Sequence, residues 1–197
     1  MLSSADQYRY VLEQPVVVPG GRVWNYNSGG TLLLEAVIAK ATVGALDDVA
    51  REFLFEPFGI TDFAWTKNSK SGILEVGGLR LRSRDLVKIG QLFVSGGIWN
   101  GRQIVSQKWR RNPRQHIGPA HLTYFYGYQW WLGRSLVEGR EVPWICATGH
   151  GGQRIFAVPM LDLVAVFTAG LYADNVNVLL PLILFNRYVL GAVVRKD

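Results

Sequence analysis

The 197 residues are 49% hydrophobic and 18% charged, enough apolar material for a buried core and too much for a disordered chain. The net charge is +6, but the basic residues are scattered, which does not fit a nucleic-acid-binding surface; the one concentration, Arg110, Arg111 and Arg114, reads as a solvated face. A single cysteine, Cys146, excludes an internal disulfide, and its apolar neighbours Trp144, Ile145 and Ala147 mark it as a small buried hydrophobe rather than a reactive thiol.

The start, Met1-Leu2-Ser3-Ser4-Ala5-Asp6, has no basic head followed by an apolar stretch, so it does not read as a signal peptide. Residues 15–23 form a short extended piece broken by a Pro-Gly-Gly turn signal. A strongly apolar helix is expected from Thr31 to Ala41, with Leu32, Leu33, Leu34, Ala36, Val37 and Ile38 covering most of its circumference, and it should be buried nearly all round. A second helix, about 45–55, opens on Asp47 and Asp48, where carboxylates favour the helix dipole, and should stop before Pro57.

Ser83-Arg84-Asp85 caps a third helix whose Leu86, Ile89 and Phe93 recur at helical spacing, and Gly96-Gly97 ends it. Asn100-Gly101 is a tight-turn signal between Ile98-Trp99 and Gln103-Ile104-Val105. Ser106 then caps a short helix through Trp109. From about 126 the texture changes to short aromatic and β-branched runs at Tyr126–Leu132, Pro143–Thr148, Gln153–Val158 and Leu163–Thr168. They predict an antiparallel sheet of three or four strands, closed by a C-terminal helix from about Asn175 to Leu190. The fold class is therefore α+β, one domain over 1–197 with a helical part to about 125 and a sheet plus helix after it. The longest apolar run, Val178–Phe185, contains Pro181 and is too short to span a bilayer. Both the first apolar helix and the last need cover, from self-association or from a segment outside this sequence.

Two stretches carry candidate chemistry. In Trp24-Asn25-Tyr26-Asn27-Ser28-Gly29-Gly30 a phenol and a hydroxyl stand two apart, which places them on one side of an extended segment. Tyr26 there can shuttle a proton to and from a nucleophile, with Ser28 binding substrate; the alternative makes Tyr26 a core residue and Ser28 the helix cap. In Thr148-Gly149-His150-Gly151-Gly152-Gln153, at the junction of two strands, glycines around a polar residue let a ligand lie against backbone N–H groups, as an oxyanion hole requires. The alternative is a glycine-rich hairpin with an exposed histidine. Neither His116, His121 nor His150 has a partner at metal-ligand spacing, so no metal is expected.

Taken together these stretches resemble the serine β-lactamases and penicillin-binding proteins of the class C β-lactamase type, whose site is built from Ser-x-x-Lys, then Tyr-x-Asn, then Lys-Thr-Gly. Tyr26-Asn27-Ser28 resembles Tyr-x-Asn with Ser28 in place of Asn, and His150-Gly151-Gly152 resembles Lys-Thr-Gly in the His-x-Gly form of some esterases, D-amino-acid peptidases and 6-aminohexanoate-oligomer hydrolases. Glu56-Pro57-Phe58-Gly59-Ile60, Gly77-Gly78-Leu79 with Asp85-Leu86, Gly127-Tyr128-Gln129-Trp130-Trp131, and Gln153 with Pro159 and Asp162 follow in the family's order, from about residue 7 to 190. Val43 stands where the family often has the glycine that ends the first helix.

The resemblance implies the C-terminal part of a β-lactamase/transpeptidase-like fold. It also implies an acyl-enzyme route on an ester, amide or β-lactam, no cofactor, and a periplasmic or secreted parent protein. Tyr26 would be the catalytic acid or base, with Ser28, His150, Gly151, Gly152 and Gln153 holding substrate. Ser28 for Asn and His150 for Lys put β-lactam turnover in doubt. No serine here has a lysine three places on. The chain is therefore expected to lack the nucleophile and to be inert alone, with a ligand- or peptide-binding module or an interaction fragment as rival readings. The hydrolase reading requires the Tyr26 phenol and the His150 backbone to converge on one pocket.

Overall fold

The computed structural model describes residues 4–106, 118–121, 124–172 and 179–194. Arg110, Arg111 and Arg114, the expected helix beyond its Ser106 cap, and the start of the expected C-terminal helix lie outside them. The chain divides into two compact units, Met1–Arg82 and Ser83–Asp197.

In the first unit, helix α1 (Gln7–Leu12) is capped by the Asp6 carboxylate, which accepts from the Arg9 N–H. Helix α2 (Ser28–Thr42) is capped by Asn27, whose Oδ1 accepts from the N–H groups of Gly29 and Gly30 at 2.7 and 3.2 Å. Val43 ends α2 in the left-handed conformation, φ 57°, the place that favours glycine. Helix α3 (Leu46–Ala50) widens into π-type turns over Arg51–Phe55 and tightens to a 3-10 turn over Glu56–Phe58. The helical path thus runs through Pro57 rather than stopping before it, because Pro57 sits in the first turn of the 3-10 segment, where no N–H is required.

Strands β1 (Phe63–Lys67) and β2 (Leu74–Leu81) then pair as an antiparallel hairpin. Asn68 shapes its turn by accepting from the Lys70 and Ser71 N–H groups. Leu32, Phe55, Phe58, Ile60 and Leu74 are the buried apolar residues of this unit. Against expectation, α2 is not buried all round: only Gly29 and Leu32 are fully covered, Leu34 is 45% exposed and Val37 is 60% exposed. One face of the helix meets α1, α3 and β2; the rest of its apolar surface faces out.

The second unit opens with α4 (Ser83–Val94), where Lys88 Nζ pairs with buried Asp85 at 2.7 Å. Strands β3 (Ile98–Trp99) and β4 (Arg102–Gln103) turn on Asn100 and Gly101, both with positive φ, as that dipeptide predicts. A six-stranded antiparallel meander follows: β5 (Gly118–His121), β6 (Tyr124–Gly127), β7 (Trp130–Val137), β8 (Arg140–Gly149), β9 (Gln153–Val158) and β10 (Leu163–Phe167). The expected three or four strands become six because the run at 126–132 is a hairpin rather than one strand, with Tyr128 and Gln129 both at positive φ, and because β5 precedes it. The terminal helix runs from Leu180–Leu184 through π-type turns at Phe185–Leu190 to Gly191–Val194.

Alternation decides which face of this sheet is covered by what. Val142, Trp144 and Cys146 on β8 and Phe156 and Val158 on β9 form the core with Phe185, Leu190 and Val194 of the terminal helix. The Phe156 and Phe185 rings stack at 3.9 Å and 4°. The opposite face carries Ile155 and Val164 and receives α4 so closely that a Cβ on Gly90 would sit 2.5 Å from Val164. A polar chain crosses the apolar layer: Trp144 Nε1 donates to Ser135 Oγ at 2.9 Å, and the Ser135 hydroxyl donates to Asn186 Oδ1. Gly133 leaves room for the Trp144 indole, which lies 2.3 Å from where a Cβ would be.

Candidate functional site

Tyr26 and Ser28 lie in the Met1–Arg82 unit, at the entrance to α2. Tyr26 is 52% exposed, not a core residue, with its ring 6.5 Å from that of Trp24. Ser28 is the first helical residue and Asn27 the cap, so the bland alternative of Tyr26 in the core and Ser28 as cap does not describe this segment. The reason is geometric: Asn27 is extended at φ −143° and its side-chain oxygen reaches two orphan N–H groups at once. That leaves the Tyr26 phenol and the Ser28 hydroxyl outside the capping bonds.

His150, Gly151, Gly152 and Gln153 come together in the other unit. Gly149 and Gln153 are the last paired residues of β8 and β9, and His150–Gly152 form the three-residue turn between them. Gly151 and Gly152 have φ of 77° and 92°, conformations that side chains with a Cβ rarely adopt. His150 is exposed, whereas both glycines are buried. The turn is held from below by Arg154, whose Nη1 donates to the carbonyls of Gly149 at 3.0 Å and Gln153 at 2.8 Å. It is held from the side by the segment after β10: Leu171 N–H donates to the Gly151 carbonyl at 2.9 Å. The Gln153 amide bonds Ala169 twice, donating to its carbonyl and accepting from its N–H. Tyr172 brings its ring to 5.6 Å from that of His150. Nothing local in Ala169-Gly170-Leu171-Tyr172 or at Arg154 announces these roles, because the contacts span the sheet edge rather than a sequence motif.

Arg154 also reaches a cavity of about 210 Å³ between the sheet and the terminal helix, walled by Trp131, Trp144, Cys146, Thr148 and Phe156. Burial lowers the pKa of Arg154 and pushes the Cys146 thiol up to about 11, which disfavours the reactive thiolate. In the first unit a second titratable group surrounds Glu35 on α2. Burial raises its pKa, and Asp47 adds to the rise, while the Leu74 N–H, the Lys67 ammonium and the Tyr8 hydroxyl oppose it. Asp47 is itself desolvated, but the Lys67 ammonium at 3.0 Å pulls its pKa below the usual range. Among the described residues no group of three or more His, Cys, Asp and Glu is placed to hold a metal ion. No single described helix is long and apolar enough to cross a membrane; Ser28–Thr42 and Leu46–Phe58 reach that only as a pair bent by 77°.

The beta-lactamase family model matches residues 2–178, which includes both candidate stretches. Among solved structures, a Bacillus anthracis protein provisionally named as a 6-aminohexanoate-dimer hydrolase superposes with a TM-score of 0.76 at 20% identity, covering 96% of this chain and 49% of that one. A Bacteroides dorei protein provisionally named as a beta-lactamase gives 0.64 at 18% identity, covering 83% of this chain and 56% of that one. At these identities the likeness is one of fold. The chain spans about half the length of the structures it matches.

Proposed function

The chain belongs to the beta-lactamase family, and from that membership we propose that it supplies the proton-shuttle and substrate-binding elements of a serine hydrolase acting on an ester, amide or β-lactam. The observation that carries the reading is the family match, whose span of residues 2–178 includes Tyr26 and the His150–Gly152 turn. In this scheme Tyr26 relays the proton: its phenol oxygen takes up the proton of the attacking hydroxyl as that oxygen bonds the substrate carbonyl carbon, and its own proton passes to the leaving group as the scissile bond breaks. The negative charge that collects on the carbonyl oxygen is met by backbone N–H groups of the His150 turn, fixed in advance by the two glycines. Ser28 supplies a polar contact to the rest of the substrate, and Gln153, whose amide is bonded to Ala169, holds the substrate-binding turn in place.

The attacking hydroxyl has to come from outside these 197 residues, since none of their serines stands in Ser-x-x-Lys. Alone, the chain is therefore inert toward acyl transfer, because nucleophile, base and oxyanion donors act as a unit. Nitrocefin and p-nitrophenyl acetate assays test this: the expected result is no hydrolysis above that of a Tyr26→Phe control. Turnover above that control overturns the inertness. The scheme further demands that the Tyr26 phenol and the His150 turn face one pocket, and nitroxide-label distances from positions 26 and 150 that place them on opposite sides would sink it.

One observation favours a second reading. The exposed apolar residues Leu34 and Val37 on α2 give the first unit a surface suited to self-association or to a covering segment. Sedimentation of a clean monomer across the concentration range would argue against self-association.

A further inference from the structure

We propose that Tyr172 is a positioning residue for His150, and that Ala169–Tyr172 forms a brace that sets the pitch of the His150–Gly152 turn. The proposal deepens the substrate-binding reading of that turn and rests on it. Three separate ties hold the turn, two at Gly151 and one at Gln153 on its far flank. Leu171 N–H donates to the Gly151 carbonyl at 2.9 Å. Gln153 and Ala169 exchange two hydrogen bonds, so the start of β9 cannot move without that segment. The Tyr172 ring then lies across Gly151, with its Cε1 2.5 Å from where a Cβ would be. Gly151 is thus demanded twice, by its φ of 77° and by the ring above it.

The result is two rings side by side, His150 and Tyr172, with centroids 5.6 Å apart and planes tilted by 46°. Tyr172 is 61% exposed, so core burial does not account for where this ring sits. Its hydroxyl is 3.4 Å from Gln153 Nε2, which ties the far edge of the ring to the same brace. A wall two rings wide beside the turn amides suits substrates whose acyl or leaving portion is planar or apolar, since an aromatic face rewards flat, weakly hydrated groups. Tyr172 acts through His150 and through the shape of the wall; it transfers no proton.

The test is NMR of the whole chain with labelled histidine and tyrosine, reading the His150 Cδ2–H and Cε1–H signals. Wild type should show ring-to-ring cross-peaks between His150 and Tyr172. Tyr172→Ala should shift the His150 signals, Tyr172→Phe should leave them near wild type, and Gly151→Ala should reproduce the Tyr172→Ala shift by pushing the ring away. Absence of the cross-peaks in wild type, or His150 signals unchanged in Tyr172→Ala, overturns the proposal. If Tyr172→Ala does not fold, the wild-type cross-peaks and the Phe variant decide the matter. Titration with penicillin G separates this from the hydrolase reading: cross-peaks with no response of His150 to penicillin G uphold the brace and count against substrate binding at the turn.

Discussion

The Met1–Arg82 and Ser83–Asp197 units treat their apolar residues in opposite ways. The first contains a helix that is apolar almost all the way round and leaves much of it open, with Val37 60% exposed. The second is built from strands that alternate, and its core hides three large rings, with Trp144 5% exposed, Phe156 1% and Phe185 0%, while Phe125, Tyr128, Tyr172 and Tyr188 stay exposed outside that core. The difference shows that burial follows from a match between periodicity and a partner surface, not from the count of apolar residues. A period of two along β8 and β9 points every second side chain at the terminal helix, so each buried ring has a defined neighbour. An apolar helix with no polar stripe has no preferred direction, and here only one of its sides finds a partner within its unit.

Three substitutions would break or sharpen this contrast. The largest effect is expected in the second unit. Phe156→Ala removes a ring stacked on Phe185 and edge-on to Trp144 and Phe167, and should cost about 3–5 kcal/mol in urea unfolding. Amides of α2 should keep their hydrogen-exchange protection in that variant; loss of protection there would mean that the units unfold as one. A smaller gain is expected in the first unit. Val43→Gly relieves a β-branched residue held at φ 57° and should stabilise the unit by about 1 kcal/mol. An unchanged midpoint would show that the strain is absent in solution.

The smallest effect concerns sign rather than size. Glu35 has its pKa raised in the folded state, chiefly by burial, so the folded unit holds this proton more tightly than the unfolded chain does. Its contribution to stability is present at low pH and is lost as pH rises through the folded pKa. Glu35→Gln should therefore show its greatest advantage over wild type at about pH 7, shrinking toward about pH 4. Chemical denaturation at both values checks this, and an advantage that grows on acidification would refute the burial account.

Much of this architecture was legible in the sequence, and the exceptions have physical causes. Gln153–Val158 is a strand as its run of aromatic and β-branched residues predicts, and Asn100-Gly101 turns where both residues tolerate positive φ. The turn at Tyr128-Gln129 escaped because neither residue type signals a left-handed backbone; tertiary pairing of β6 with β7 imposes it. The β1–β2 hairpin carried no expectation, since Gly77 and Gly78 inside β2 weaken the strand signal there. At the candidate site, Tyr26 and His150–Gln153 were readable as motif-like stretches with their own local chemistry. Tyr172, Ala169 and Arg154 were not, because their contribution is contact across strands, which no spacing along the chain encodes.

The polar link from Trp144 through Ser135 to Asn186 has a consequence for how the end of the chain docks. A purely greasy contact between sheet and helix would accept a slide of one helical turn with little change in energy, since one aliphatic group replaces another. Moving Asn186 off Ser135 instead leaves the buried Ser135 hydroxyl without that partner, a penalty of about 1–3 kcal/mol. Two small polar side chains thereby act as a latch, selecting a single seating for the helix where oil alone would permit several.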